Sequence, residues 1–196
     1  MPVRVERLPR DRFAQIFDDL ARLRITVFRD YPYLYDGNID YERGYLDRFL
    51  ASPDAVVIGA FADGRLVGAA TASPLGDHHR EFAAPFVARG MPVEQLFYFG
   101  ESVLEAEYRG QGIGVRFFEE REKAAREAGF NETVFSAVVR PASHPARPGS
   151  YQPLDGFWRN RGYEGIAGLT TGFSWKDIGE AGETEKLMEY WHKMLA

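Results

Sequence analysis

Residues 108–114 read YRGQGIG and combine features that bind phosphate. An apolar run over 95–105 precedes them and a helical pattern begins near residue 112, so the glycines join a predicted strand to a predicted helix. The first N–H groups of a helix have no partner within it, and the helix dipole adds partial positive charge there. Glycine lets the backbone approach a ligand closely, and Arg109 would add a charged hydrogen bond. The segment therefore predicts an anion site suited to phosphate.

The two commonest phosphate-binding loops do not match this segment. A Walker loop needs a Lys directly after its last glycine, and none stands there. A dinucleotide-binding loop needs the spacing G-x-G-x-x-G and an acidic residue after a second strand, whereas the spacing here is G-x-G-x-G without that partner. We therefore expect a phosphate-containing ligand other than those that these two loops bind.

One carboxylate stands inside the apolar run that leads to the glycines. Glu101 follows Phe97, Tyr98 and Phe99 and precedes Val103. Burial would strip water from this carboxylate, and such carboxylates serve as general bases. The alternative is a structural role, in which Glu101 orients a loop or a substrate through hydrogen bonds. Both interpretations stay open on the sequence alone.

Strands and helices alternate along the chain and must position these groups. Apolar residues recur at helical spacing up to residue 28, and the Asp63-Gly64 pair predicts a hairpin between residues 55–62 and 65–73. Further strand patterns occupy 131–140 and 163–175, and helical patterns occupy 112–128 and 154–161. Residues 75–94 look like an insertion with one short helix, 141–153 form a proline-rich loop, and the tail from residue 186 fits either a strand or a helix. This order predicts one domain over residues 1–196, of the α/β (mixed α+β) class, with a mixed sheet and helices on its faces.

The glycine segment and its surroundings resemble the GCN5-related N-acetyltransferase (GNAT) family. Residues 109–114 match R/Q-x-x-G-x-G/A, the loop that binds the pyrophosphate of acyl-CoA in that family. Residues 102–108, SVLEAEY, and the helical pattern at 115–128 resemble the strand and the long helix on either side of that loop. Residues 157–163, FWRNRGY, resemble a later Y-x-x-x-G-F element. The resemblance implies a central mixed sheet of six to seven strands flanked by about four main helices.

The resemblance implies acetyl-CoA as the cosubstrate and assigns its binding residues. Backbone groups around Val103 and Leu104 would bind the pantetheine arm between splayed fourth and fifth strands, and an N–H near Leu104 would stabilise the oxyanion. The pyrophosphate would be bound by Arg109, Gly110, Gln111, Gly112, Ile113, Gly114 and Val115.

The resemblance also implies that an amine acceptor attacks the thioester directly, with Glu101 as the proton acceptor. The Tyr that such enzymes use as the acid is replaced by Trp158, whose indole is not a useful proton donor. Tyr151 is the candidate that would take its place, and a reaction without a protein acid is the alternative because a thiolate is a tolerable leaving group. The Trp also leaves open a non-catalytic acyl-CoA-binding or sensing domain.

Three tyrosines alternate in the segment that would face the acceptor, a small-molecule amine in our interpretation. Tyr31, Tyr33 and Tyr35 would line an acceptor pocket or, alternatively, seal the core. His78 and His79 are adjacent and would point apart in a strand or lie about 100° apart in a helix, so we expect no metal and assign His79 to acceptor contact.

A proline-rich stretch carries further basic residues. Arg140, His144 and Arg147 would meet the 3′-phosphate of CoA, an acidic acceptor group or only solvent.

The composition argues against several classes of partner. A net charge of −5 without a run of basic residues does not favour nucleic-acid binding, and no apolar run approaches the roughly 20 residues of a membrane span. The chain has no cysteine, which excludes disulfides and thiolate metal sites. The first residues show no apolar export signal, so we expect a cytoplasmic protein, as a monomer or a homodimer.

Overall fold

Seven strands form one mixed sheet in the computed structural model, which describes residues 2–78 and 80–195. The strands are β1 (Arg4–Arg7), β2 (Val56–Ala62), β3 (Arg65–Pro74), β4 (Leu96–Leu104), β5 (Glu132–Val138), β6 (Glu164–Trp175) and β7 (Thr184–Met194). Their spatial order is β1-β2-β3-β4-β5-β7-β6, and β4 and β5 form the parallel pair. The described helices are α1 (Phe13–Phe28), α2 (Ile39–Ala51), α3 (Arg80–Ala88), α4 (Ile113–Glu127) and the short α5 (Asp155–Arg159). The predicted mixed sheet with flanking helices is confirmed.

The predicted hairpin joins β2 to β3 by the expected turn. Asp63 and Gly64 both have positive φ, +50° and +81°, as a two-residue hairpin turn of the primed type requires. Every residue of β2 is buried, which fits a strand covered by helices on both faces.

The C-terminal tail, which the sequence leaves undecided, is strand β7. It lies between β5 and β6, where Met188 and Tyr190 are buried. An interior sheet position satisfies the backbone groups of the tail on both sides, and this long-range pairing decides between the two patterns.

Helices cover both faces of the sheet. Leu20 of α1 and Leu46 of α2 pack with Val57 on one face, and Phe117 of α4 packs with Phe99 on the other. A third cluster joins Phe86 of α3 to β5, β6 and β7. No helix in the described part of the chain is long and apolar enough to cross a membrane.

The sheet opens between its two parallel strands. β4 pairs with β5 only from Leu96 to Tyr98, although β4 continues to Leu104 and β5 to Val138. The second half of β4 therefore has a free edge on the side of β5.

A β-bulge lies at the point where β4 leaves β5. Gly100 and Glu101 together oppose the single residue Thr71 of β3. A Cβ on Gly100 would stand 2.5 Å from Thr71 Oγ1, and the Glu101 N–H donates to that same oxygen at 3.2 Å. The buried Arg121 of α4 donates to the carbonyls of Thr71 and Glu101, at 3.3 Å each. The bulge is thus held from the α4 face of the sheet.

Replacing Leu46 with alanine tests how α2 is attached to the sheet. Leu46 is 0% exposed, so Leu46→Ala should lower the free energy of unfolding by about 2–5 kcal/mol through lost burial and a cavity. The matched control is Leu154→Ala at a side chain that is 53% exposed, which should cost less than about 1 kcal/mol. Urea unfolding followed by circular dichroism measures both, and equal losses would contradict this packing.

Candidate functional site

The glycine segment forms the N-terminus of α4. Gly112 is the N-cap residue with φ +78°, and Gly110 has φ +75°. Nothing lies within 4 Å of a Cβ built on either glycine, so both face open space. The N–H groups of residues 112–115 have no acceptor within the helix. A left-handed backbone, open space and unpaired donors together make a cradle for an anion.

Gly114 serves packing rather than turn geometry. A Cβ at this position would lie 3.4 Å from the Phe157 ring of α5, which is ordinary contact. A small residue therefore fits between α4 and α5, whereas a larger one would push them apart.

Two side chains complete the rim of the cradle. Arg109 donates from Nε to the Leu104 carbonyl at 3.2 Å, and its Nη2 lies 3.7 Å from Asp30. Gln111 donates to the Glu107 carbonyl at 3.2 Å. The Arg109 side chain is half exposed, and exposed ion pairs contribute little to the free energy of folding. The guanidinium can therefore leave Asp30 and bind a phosphate instead.

Backbone groups alternate along the free edge of β4. The Glu105 N–H donates to the Val67 carbonyl of β3 at 3.0 Å, and the antiparallel alternation directs the backbone groups of Val103 to β3 as well. Those of Ser102 and Leu104 face away from β3. The expectation that Val103 contributes free backbone groups is therefore corrected: the free groups at this edge belong to its neighbours.

Glu101 belongs to a buried cluster of three charges. One of its oxygens, Oε2, contacts Nη1 of Arg24, and Nε of Arg24 donates to Glu42. Glu42 and the side chain of Glu101 are at most 2% exposed, and Arg24 is also buried. Two carboxylates and one guanidinium leave the cluster with one net negative charge.

The charges of this cluster hold it together against the cost of burial. Burial lowers the pKa of Arg24, but Glu101 and Glu42 outweigh that effect and raise it above its ordinary value. The guanidinium also lies 4.3 Å from the ring centroid of Tyr45. Among the described residues, Glu101 Oε1 has no hydrogen-bond partner. One carboxylate oxygen thus contacts Arg24, and the other is buried without a hydrogen-bond partner among the described residues.

Arg24 and Glu42 are site residues that the sequence analysis missed. Arg24 follows Leu20 by four residues and precedes Val27 by three, which places a charge within the apolar stripe of α1. A charged residue on a buried helix face requires a buried partner. The position of Arg24 in the sequence was therefore the signal that could have revealed a buried charge cluster.

The tyrosine segment approaches the charge cluster from a loop. Burial raises the pKa of Tyr33 to about 12; the charge of Arg24 opposes this shift, and Tyr151 and Glu101 add to it, so the Tyr33 hydroxyl lies within electrostatic range of each of these groups. Tyr35 is buried, and burial followed by the charge of Glu42 raises its pKa.

Tyr31 has a different neighbourhood from the other two tyrosines. Its ring packs edge-on against Tyr151 at 4.7 Å and lies 5.8 Å from the ring of His144. Burial and the neighbouring Tyr31 raise the pKa of Tyr151, so its hydroxyl keeps its proton at neutral pH. The assignment of His79 to acceptor contact lies outside the described residues.

Trp158 and Tyr163 are packing residues. The Trp158 indole lies 5.1 Å from Phe135 and 5.0 Å from Trp191. Tyr163 is fully buried and its hydroxyl donates to Glu122 at 3.2 Å.

Arg140 is partly buried and pairs with Asp177 at 2.8 Å, a contact that none of its three expected roles includes. It also donates to the carbonyls of Pro32 and Tyr33, both at 2.9 Å. These partners use the guanidinium within the protein, so the expectation that Arg140 contacts a phosphate, an acidic acceptor group or only solvent is corrected. Within residues 2–78 and 80–195, no group of three His, Cys, Asp or Glu residues could hold a metal ion.

Comparisons with known proteins agree with this geometry. A model described as the acetyltransferase (GNAT) family matches residues 15–148. A search of curated proteins finds no match.

Similar solved structures carry acetyltransferase descriptions. A proposed acetyltransferase from Acinetobacter baylyi ADP1 has a TM-score of 0.65 at 16% identity, covering 99% of this chain and 92% of that chain. A ribosomal-protein-alanine N-acetyltransferase from Brucella melitensis has a TM-score of 0.61 at 14% identity, covering 98% and 99%. A proposed acetyltransferase from Salmonella typhimurium, solved with its cofactor acetyl-CoA, has a TM-score of 0.60 at 11% identity, covering 99% and 94%. At these identities the likeness shows the fold alone.

Removing the guanidinium tests the charge cluster. Arg24→Met should lower the free energy of unfolding by about 3–5 kcal/mol, because Glu42 and Glu101 would be left buried without a counter-charge. Adding Glu101→Gln to Arg24→Met should recover part of that loss, since it removes one of the two uncompensated carboxylates.

The control is Arg22→Met on the same helix, at a side chain that is 64% exposed and pairs only with Asp19 in the described contacts. It should cost less than about 1 kcal/mol. Chemical denaturation measures all three variants, and a similar loss for Arg24→Met and Arg22→Met would refute the buried cluster.

Proposed function

We propose that this chain, which belongs to the acetyltransferase (GNAT) family, transfers the acetyl group of acetyl-CoA to a primary amine of a small-molecule acceptor. The observation that carries the proposal is the position of Glu101. One oxygen of its carboxylate has no hydrogen-bond partner among the described residues, and the residue stands at the bulge where β4 separates from β5. The second half of β4 leads from there to the anion cradle of α4. Such a pair of features suits a thioester donor held by its phosphates and an amine that must lose a proton.

The residues present fit acetyl-CoA. The N–H groups of residues 112–115 and the guanidinium of Arg109 would bind the pyrophosphate, with Gly110 and Gly112 keeping the approach open. Gln111 lies on the same rim. The free edge of β4 offers the backbone groups of Ser102 and the N–H of Leu104 to the amide groups of a pantetheine arm, since the Leu104 carbonyl already accepts from Arg109. When bound, acetyl-CoA would supply a reactive thioester carbonyl and a thiolate leaving group.

The protein contributes proton transfer and positioning. Glu101 would take the proton that the amine releases as its nitrogen bonds to the acetyl carbon and the C–S bond breaks. A free N–H of this edge near Leu104 would stabilise the negative charge that develops on the carbonyl oxygen. The thiolate of CoA leaves as an anion or takes a proton from the Tyr151 hydroxyl, which is protonated at neutral pH.

The acceptor would bind on the α1–α2 side of the sheet. Tyr33 lies near Glu101 there, and Tyr31 with Tyr151 forms an adjacent aromatic wall. We assign the acceptor to small molecules rather than nucleic acids, in keeping with the acidic balance of the chain. We assign the protein to the cytoplasm, whose reducing conditions fit a chain without cysteine.

A non-catalytic acyl-CoA sensor is the second candidate. It is favoured only by Trp158, which packs on Phe135 at the position where the family has the Tyr that acts as the acid. Release of free thiol from acetyl-CoA across a panel of amines separates the two. Binding of acetyl-CoA without any turnover would favour the sensor.

Replacing Gly112 tests the phosphate cradle. Gly112→Ala forces a side chain into a left-handed backbone, which costs about 1–2 kcal/mol and reorients the N–H groups of the cradle. We expect acetyl-CoA to raise the melting temperature of the wild type at millimolar concentration and to lose most of that effect in the variant.

Gly64→Ala is the control because Gly64 has a similar φ of +81°, with open space around it, but lies in the β2–β3 turn. It should lose comparable stability and keep the full acetyl-CoA effect. No thermal shift of the wild type with acetyl-CoA would refute the proposed function.

Replacing Glu101 tests the proton acceptor. Glu101→Gln should lower kcat by about 10²–10⁴-fold while the KM for acetyl-CoA changes little, since the amide cannot accept the proton. Glu42→Gln removes the other carboxylate that contacts Arg24 and is therefore matched in charge and burial. It should lower kcat by less than about tenfold, since Glu42 transfers no proton in this mechanism. Equal effects in a thiol-release assay would assign Glu101 to a structural role.

A further inference from the structure

A buried arginine whose described hydrogen-bond partners are all uncharged lies on the α4 face of the β4 bulge. Arg121 is 1% exposed, and its guanidinium donates to three carbonyl groups and to the hydroxyl of Ser102. Its guanidinium carbon lies 4.3 Å from the centroid of the Phe99 ring and 4.9 Å from that of Phe118. These aromatic faces and neutral oxygens stabilise the cation only in part, because none of them carries a full negative charge.

Burial decides how the charge of Arg121 is stabilised. Burial lowers its pKa to about 10, and Tyr163, Glu101 and Glu122 oppose this shift without cancelling it. The guanidinium stays protonated at neutral pH, but its charge is destabilised by the surroundings. A negative charge that forms nearby would offset this cost. The α4 face of the bulge therefore favours an anion, whereas the cluster on the α1–α2 face carries one net negative charge.

Ser102 extends the effect of this charge to the free edge of β4. Its hydroxyl oxygen accepts from Nη2 of Arg121 at 2.8 Å, and the residue is exposed. A hydroxyl has one hydrogen to donate, and no hydrogen bond in the described part of the chain uses that of Ser102. A hydroxyl that accepts from a cation is polarised and becomes a stronger donor. Ser102 thus presents an oriented O–H group to a ligand at this edge.

The proposed position of acetyl-CoA would bring its thioester to this hydroxyl. The phosphates would lie at the N-terminus of α4, and the backbone groups of Ser102 would bind the pantetheine arm at the end of the free edge farthest from that cradle. The thioester terminates this arm and would lie beside the side chain that contacts Arg121. The side chain of Glu101, the preceding residue, contacts Arg24 on the opposite face. The proton and the leaving sulfur would therefore depart toward opposite faces of the sheet.

We propose that Ser102 is a further catalytic residue, whose hydroxyl donates a hydrogen bond to the sulfur of CoA as it leaves, with Arg121 as its positioning residue. The inference rests on the proposed function. As the amine nitrogen bonds to the acetyl carbon, the C–S bond breaks and its electron pair passes to sulfur, while the amine proton passes to Glu101. Ser102 keeps its own proton, and CoA leaves as a thiolate. The hydroxyl thus stabilises the leaving group in a chain that has Trp158 where the family has its acid.

The first experiment compares Ser102→Thr with Ser102→Val in the full chain. The two new side chains have the same shape, and both suit a strand, but only threonine carries a hydroxyl. Thiol release from acetyl-CoA is measured with the panel amine that the wild type acetylates fastest.

We expect Ser102→Val to lower kcat by about 10- to 100-fold, less than the loss of an oxyanion donor because sulfur is a weaker acceptor than oxygen. The KM for acetyl-CoA should change by less than about threefold, since the hydrogen bond strengthens only as charge develops. Ser102→Thr should keep kcat within about threefold of the wild-type value. Equal kcat values in the two variants would overturn the proposal and leave the N-acetyltransferase function standing.

Calorimetry with CoA and desulfo-CoA gives a readout that does not require turnover. If the site stabilises the thiolate, the bound thiol ionises at a lower pH than the free one, and the affinity for CoA rises with pH. We expect the ratio of CoA to desulfo-CoA affinity to increase at least about threefold from about pH 7 to about pH 9 in the wild type and in Ser102→Thr, but not in Ser102→Val. A constant ratio in the wild type would overturn the proposal. Absence of CoA binding to the wild type would reject the proposed function as well.

A double-mutant cycle tests whether Arg121 acts through Ser102. Arg121→Lys keeps a positive charge but loses the planar fork that reaches several acceptors at once, so it should lower kcat. Adding Ser102→Val to Arg121→Lys should cost less than about threefold more, because the hydroxyl has already lost its partner. The acetyl-CoA thermal shift of each variant checks that the cradle is intact. A full additional loss from Ser102→Val would limit Arg121 to holding the bulge and remove it from the proposal.

Discussion

The contact between Arg24 and Glu101 is the constraint on which the candidate site depends. Glu101 sits in a bulge of β4, and a buried carboxylate requires a counter-charge to stay there. Arg24 supplies that charge from α1 and extends to Glu42 of α2, so one guanidinium joins two helices to the strand. On the opposite face, Arg121 of α4 holds the carbonyl groups of the same bulge. Two buried arginines therefore fix a single strand irregularity from both sides.

The opening of the sheet follows from the same irregularity. The pairing of β4 with β5 ends at Tyr98, and the bulge at Gly100 and Glu101 begins two residues later. The strand then runs with one free edge to the glycine N-cap of α4. A phosphate cradle, a line of unpaired backbone groups and a carboxylate thus follow one another along a single short stretch of chain.

Local features of this stretch could be predicted from the sequence because their causes are local. Glycines with open space and left-handed backbone can be recognised from a strand, a G-x-G pattern and a helix that follows, and Asp63-Gly64 specifies its own turn. The position of Arg24 in the apolar stripe of α1 indicates that it needs a buried partner, but its partners could not be predicted because Glu42 and Glu101 come from other segments and no spacing relates them. The tail was undecided for the same reason, since only pairing with β5 and β6 distinguishes its two patterns.

The loop that carries the three tyrosines is tied to the β6–β7 turn. Arg140 binds the carbonyls of Pro32 and Tyr33 and the carboxylate of Asp177, while the Ile178 N–H donates to the Leu34 carbonyl at 2.7 Å. Segments from opposite ends of the chain therefore form one braced wall beside Glu101. A molecule that enters from this side does not have to order the loop, so little conformational entropy is lost on binding. Selection among acceptors then depends on the fit to a fixed surface, and a poorly matching acceptor gains nothing from rearrangement of the wall.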